Sequence, residues 1–176
     1  MPKKNKKYLI TGGLGFIGSA IANHLIKKGN KVVILDDLSR GKKKRVIEKN
    51  KNLKIINGDI RDYKKVLKLC KGMNAVIHLA YVNGTKFFYK KPTEILDIAV
   101  RGIINVIDAC KHYKIKELIL ASSSEVYQTP SKIPTDEKEV LKIPNIYNPR
   151  YSYGGGKILT ELMGVHNGKK FFKRLI

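Results

Sequence analysis

The chain has 176 residues, 43% of them hydrophobic, and a mean hydropathy of -0.26. That suits one globular domain with a substantial core and excludes a disordered chain or a bundle of membrane spans of roughly 20 apolar residues each. The formal charge of +22 comes from 36 basic residues, only six of them arginine and all spread widely, so solubility and attraction to anionic ligands are expected rather than nucleic-acid binding.

The N-terminal lysines precede a patch of only Tyr8-Leu9-Ile10, shorter than the apolar core of a signal peptide at about 7–15 residues, and form a basic overhang. A first strand is expected at YLIT (8–11). Further β-branched runs follow at VVILD (32–36), LKII (53–56), AVIHLA (75–80) and ELILASS (117–123). Each is near-continuous in apolar residues, the pattern of strands buried on both faces. Between them the spacing predicts helices over 16–28, 42–50 (short), 62–70 and 92–113. In the last of these Ile95, Ile98, Ala99, Gly102, Ile103, Val106 and Ala109 make a 3.6-period stripe. Strands alternating with helices give a doubly wound parallel sheet, a three-layer α/β/α architecture. Residues 124–149 carry four prolines and form a long loop, and a last helix is expected over 150–170. The final FFKRLI has the composition of the entry to another strand, one that the chain does not go on to build. Residues 1–176 thus make one incomplete domain.

Cys70 and Cys110 lie inside helical patterns and are expected as reduced, cytoplasmic core thiols. His24, His78, His112 and His166 stand singly, so no metal centre is expected.

Strand one runs directly into TGGLGFIGSAIANHLIKKG. Gly13-x-Gly15-x-x-Gly18 fits the dinucleotide-binding pattern, and Gly12-x-x-Gly15-x-x-Gly18 fits its close variant. Such glycines allow a tight turn, a close backbone approach to a pyrophosphate, and packing of the helix on the strand, with the anion on the helix N-terminus. Strand two ends in Asp36, 18 residues beyond Gly18, where a carboxylate accepts ribose hydroxyls and repels a 2′-phosphate. That favours NAD over NADP, with Arg40 and Lys42 pointing the other way.

Six ordered motifs then carry a resemblance over essentially the whole chain: TGGLGFIG, DDLSRG, NGDIRD (57–62), HLA (78–80), SSSEVY (122–127) and YSYGGGK (151–157). The chain resembles the extended short-chain dehydrogenases/reductases, in particular the NAD-dependent epimerase/dehydratase family, which acts mainly on nucleotide-sugars. The resemblance implies a Rossmann sheet with NAD across its C-terminal edge. Gly12, Gly15, Phe16, Ile17 and Gly18 would lie at the pyrophosphate, and Asp36 and Asp37 at the adenosine ribose. Asp59 and Ile60 would flank adenine, while Leu79, Ala80 and Tyr81 would line the far half. The catalytic serine would be Ser123, and the Tyr-x-x-x-Lys pair would be Tyr153 and Lys157, both also touching cofactor. Ser124 and Glu125 are weaker substrate candidates.

A tyrosine titrates near 10, so action as a base at neutral pH demands roughly 4 kcal/mol of extra stabilisation for the phenolate. An ammonium one turn along the helix and a cationic nicotinamide act in that direction. Each of Gly154, Gly155 and Gly156 costs roughly 1 kcal/mol of helix stability; on this reading they keep the helix face bare for cofactor and sugar. GGGK is not a phosphate loop of the Walker type, because Tyr151 stands where a glycine is required and Ile158 where a Ser or Thr is.

The expected reaction is hydride transfer at a sugar carbinol, leading to epimerisation or dehydration. Ser124-Glu125 in place of the family's Asp-Glu pair favours epimerisation. Relatives also carry an asparagine where this chain has Ala99, and they continue into further strands and a substrate domain that this chain lacks. They pair through two long helices, which here implies a homodimer through 92–113 and 150–170. A cofactor-binding module without turnover, and a basic nucleic-acid-binding protein that rests on charge alone, are the alternative readings.

Overall fold

The central strands are apolar at consecutive positions because both of their faces are covered. In the computed structural model, which describes residues 5–47, 50–172 and 174–175, six parallel strands make one sheet. They are β1 (Lys7–Thr11), β2 (Lys31–Asp36), β3 (Leu53–Asn57), β4 (Ala75–His78), β5 (Glu117–Leu120) and β6 (Arg174–Leu175), in the spatial order β3-β2-β1-β4-β5-β6. Five α-helices join them: α1 (Phe16–Lys27), α2 (Tyr63–Cys70), α3 (Thr85–Lys90), α4 (Pro92–His112) and α5 (Ser152–Phe171).

Side chains alternate across the sheet with the period of two that a strand imposes. Leu9, Leu35, Val76 and Leu118 point to one side, where they meet Val66 and Cys70 of α2 and Ile103, Val106 and Cys110 of α4. Ile10, Val32, Ile34 and Ile77 point to the other, against Ala22 and Ile26 of α1. Each such side chain contributes roughly 1.5–3 kcal/mol by leaving water, so a charge at Leu9 or at Ile10 breaks one layer or the other.

Several boundaries differ from expectation. β4 and β5 stop at His78 and Leu120, because the residues that follow leave the ladder, with Leu79, Ala80, Tyr81, Ala121 and Ser122 lining a crevice. The expected helix 42–50 is reduced to one 3₁₀ turn at Lys43–Arg45, since its run of adjacent like charges supports no longer helix; Glu48 and Lys49 lie outside the described residues, as do residues 1–4 of the basic overhang. Helix α3 was not anticipated: six residues squeezed between Gly84 and the break at Lys91 give too short a period to detect. The strand expected to be lacking does begin, with Arg174 and Leu175 pairing Glu117 and Leu118 of β5.

Candidate active site

The sheet order reverses between β1 and β4, and an open α/β sheet binds ligands at such a switch point. The last residues of the two strands, Thr11 and His78, are paired in register and joined by a 2.8 Å bond between Thr11 Oγ1 and His78 Nδ1. Thr11 Oγ1 also accepts the N–H groups of Leu79 and Ala80 at 3.3 Å, so this one hydroxyl ties the end of β1 to the residues that follow β4. Burial, with the nearby Lys157 charge, pushes His78 down to about 3 and keeps it neutral. This bond fixes the floor from which both walls of the crevice rise.

On one wall, the glycine turn caps α1 without help from any side chain, and no acidic residue occupies the first helical turn. The free N–H groups there suit an anion. The glycines are not equivalent. Gly12 has φ +69°, and a Cβ on it would meet Ala80 N at 2.7 Å and Leu79 C at 2.9 Å. Gly18 packs its Cα against the carbonyl of Gly12. A Cβ on Gly15 would meet only Gly12 O, at 3.2 Å, and Gly15 lines the cavities on both sides of the turn. The turn is therefore a cradle open at Gly15 alone.

Beyond it, Asp36, Asp37, Asp59 and Ile60, expected together at the adenosine end, line one cavity with Gly12 and Gly15, and Leu79, Ala80 and Tyr81, expected at the far half, line that same cavity. Asp36 is buried and already accepts the N–H groups of Leu14 and Leu38, each at 2.9 Å. Two lone-pair positions remain for ribose hydroxyls. Asp37 holds Ser39 through an Asx turn. The Asp59–Ile60 segment is pinned from α4: Arg61 bridges Asp59 and Asp97, and Asn105 donates to the carbonyls of Ile60 and Arg61 at 3.0 and 2.9 Å. The Arg61 guanidinium holds Asp59 below the usual carboxylate range. Arg40 reaches across the mouth to the carbonyl of Asn83 and lies 5.8 Å from the Phe87 ring.

The second cavity, about 310 Å³, is lined by Phe16, Ile17, Gly18, Tyr81, Ser122, Tyr153 and Lys157 among others. Tyr153 is buried between Tyr81, edge-on at 5.0 Å, and Phe88 of α3, stacked at 5.2 Å. Lys157, also buried, donates to Ala121 O at 2.6 Å and sits 4.2 Å from the centre of the Tyr81 ring. Burial pushes it down to about 8, while the Glu161 charge pulls it back up. The electrostatics differ from expectation here. Burial raises Tyr153 above the ordinary phenol value and Glu125 adds to that, with the Ser123 hydrogen bond alone lowering it. Lys157 acts little on the phenol because its ammonium points to Ala121 and stays 5.9 Å from the Tyr153 ring centre.

The three glycines of α5 also differ from expectation. A Cβ on Gly154 would meet Glu125 O at 2.8 Å, one on Gly155 would meet Ile143 Cδ1 at 3.2 Å, and one on Gly156 would overlap the Tyr81 hydroxyl and reach Ala99 Cβ at 2.8 Å. Their faces are covered by protein rather than left bare. Ala99 is part of this close contact between α4 and α5.

Ser123 caps the short turn 124–126 by accepting Glu125 N–H at 3.3 Å. Ser124 and Glu125 face a third cavity with Arg150, whose Nη2 lies 3.3 Å from the Glu125 carboxylate. Two parts of the site escaped the sequence reading. Phe88, on the undetected α3, walls in Tyr153. Ser122 donates to Glu161, and an acid four residues after Lys157 was the signal that could have found it.

The profile of the NAD dependent epimerase/dehydratase family matches residues 8–172. The UDP-glucose 4-epimerase of Lactobacillus helveticus is 35% identical, over 88% of this chain and 45% of its own length. A UDP-N-acetyl-alpha-D-glucosaminuronate decarboxylase of Bacillus cytotoxicus is 36% identical, over 90% and 49%. Among solved structures, the UDP-N-acetylglucosamine 4-epimerase of Methanobrevibacter ruminantium M1, in complex with UDP-N-acetylmuramic acid, superimposes with TM-score 0.86 at 32% identity, covering 96% of this chain and 52% of that one. The UDP-glucose 4-epimerase of Brucella ovis in complex with NAD gives 0.84 at 28%, covering 97% and 50%. The chain spans about half the length of each of these four relatives.

Proposed function

The chain belongs to the NAD dependent epimerase/dehydratase family, and from that premise we propose that it binds NAD along the β1–β4 crevice and oxidises a nucleotide-sugar at a carbinol carbon. The observation that carries this reading is the convergence of the open glycine cradle, the Asp36 cavity, Tyr153 and Lys157 on one crevice. Asp36, Asp59 and Ile60 would hold the adenosine end, the α1 N-terminus the pyrophosphate, and Tyr81, Tyr153 and Lys157 the nicotinamide end. Bound there, NAD supplies a reversible hydride acceptor and a cationic ring that favours a nearby phenolate. Tyr153 takes the sugar hydroxyl proton, Ser123 orients that hydroxyl, and the buried aromatic wall of Tyr81 and Phe88 excludes water. Epimerisation is the preferred outcome. Epimerases among the relatives and the single carboxylate at Glu125 support it.

Calorimetry with NAD should show saturable binding, and NMR should follow interconversion of UDP-glucose and UDP-galactose. Tyr153→Phe should cut turnover about 10²–10⁴-fold while keeping NAD affinity. Absence of saturable NAD binding would sink the reading. Binding without turnover would instead support the cofactor-binding module, the second reading, which the raised Tyr153 phenol favours.

A second copy of the chain is the proposed partner. Leu96 and Ile104 of α4 and Leu162 and Val165 of α5 are all exposed at helical spacing, and such a stripe suits an isologous helix-on-helix contact. Sedimentation should report a dimer that Leu162→Asp dissociates; a monomeric parent chain would end this proposal. Among the described residues no helix is long and apolar enough to cross a membrane. The two free, buried cysteines fit a reducing, cytoplasmic setting.

A further inference from the structure

Lys157 is a buried cation, and among the described residues no carboxylate lies within ion-pair distance of it; its one hydrogen bond goes to a neutral carbonyl, Ala121 O. A buried ammonium so placed is prone to lose its proton. One helical turn further along α5 stands Glu161, and its carboxylate is taken by the hydroxyl of Ser122, which itself lines the nicotinamide-end cavity. Residues i and i+4 share a helix face, so this carboxylate stands on the lysine's side of α5, where its hydrogen-bond partner is Ser122 rather than the ammonium. No motif of the sequence reading assigned either residue a role.

We propose that Glu161 is a positioning residue of the site: clamped by Ser122, its negative charge holds the ammonium of Lys157 charged and aimed at Ala121 from one helical turn away. The arrangement explains a geometric oddity. A direct Lys157–Glu161 ion pair is within reach of an i, i+4 spacing, but would draw the ammonium out of the crevice towards α5's outer end. Ser122 prevents this by occupying the carboxylate, so the attraction acts at a distance and the ammonium stays beside Tyr81 and Tyr153.

The other groups around Lys157 do not supply the missing charge. His78 at the end of β4 is neutral, and Tyr81 in the following loop is held protonated by burial. Tyr153, on α5 itself, is likewise raised by burial. On α4, Ala99 packs against the neighbouring Gly156 and carries no charge, and Tyr127, which also feels Glu161, carries none near neutrality. Glu161 is the charge that lifts Lys157 against its burial.

Two substitutions separate this from a merely structural role. Glu161→Gln keeps an acceptor for Ser122 and removes the charge. Ser122→Ala keeps the charge and frees it to approach the lysine. With 13Cε-labelled lysine, and Lys157→Arg to assign the signal, the parent chain should titrate near pH 8 at this position. The midpoint should move down in Glu161→Gln and up in Ser122→Ala. An unchanged midpoint in Glu161→Gln, or a shift in the same direction in both variants, overturns the proposal. The NMR readout needs no cofactor and is independent of the proposed function. A second readout rests on that function: NAD affinity should fall at pH 9 relative to pH 7 more steeply in Glu161→Gln than in the parent chain. If NAD fails to bind any variant while the midpoints move as stated, the cofactor assignment fails and the role of Glu161 stands.

Discussion

Two glycine-rich stretches open helices beside the same crevice, Gly12–Gly18 before α1 and Gly154–Gly156 in α5, and they do different work. In the first, Gly12 and Gly18 press against protein backbone while Gly15 faces the groove; in the second, all three glycines press against protein, namely the 125–128 loop, Ile143, and Tyr81 with Ala99. A glycine in a sequence announces a close approach. It does not say what approaches. The first stretch makes room for a ligand, and the second lets α5 sink against α4 and the long loop, which brings Tyr153 and Lys157 to the end of the sheet.

The contrast is broken most directly at Gly12. Gly12→Ala combines a positive φ with contact against the backbone of Leu79 and Ala80, and should cost about 3 kcal/mol or more in urea unfolding. A loss below about 1 kcal/mol would show that the turn is free to leave β4. Gly156→Ala should cost about 2 kcal/mol, overpacking against Tyr81 and Ala99 outweighing the gain in helix propensity. Tyr81→Phe in the same chain should restore part of the loss, since the hydroxyl it removes is buried with no partner among the described residues. Failure to restore any would mean that Ala99, not Tyr81, sets the fit.

Acid tests the floor that both stretches share. His78 is held near 3 in the fold against about 6.5 in an unfolded chain, so below pH 6.5 the unfolded state takes up a proton that the native state refuses. Stability should therefore fall by about 2 kcal/mol from pH 7 to pH 5 on account of this residue, and His78→Gln should flatten that slope; equal slopes would refute it. Lys157 has the same sign in another window, so its contribution rises with pH from about 8 to the ordinary lysine value of 10.5. The smallest effect belongs to Gly155→Ala. Its new methyl meets only the flexible end of Ile143, and the change should fall between neutral and about 1 kcal/mol stabilising. A clear destabilisation would extend the rigid contact of Gly156 to the whole stretch.

Much of the site was legible because chemistry and local pattern coincide there. The glycine turn, Asp36 at a strand end and the Tyr-x-x-x-Lys spacing are all set by neighbours in sequence, and each falls at the crevice. Phe88 was not legible, because α3 is too short to show a period. Nor was the state of Tyr153. Its burial between two aromatic rings, and the direction of the Lys157 ammonium, come from segments 36 to 72 residues away.

By itself the sequence determined the strands, the long helices, the parallel three-layer plan and the family. Apolar periodicity and glycine placement are local properties, and a sheet covered on both sides follows from them. Tertiary structure alone decided which surfaces the glycines face, which serine of 122–124 does what, and how the buried charges settle. Those depend on packing distances of 2.6 to 3.4 Å between distant segments, such as Lys157 to Ala121 and Glu125 to Arg150, and no period in the chain encodes them.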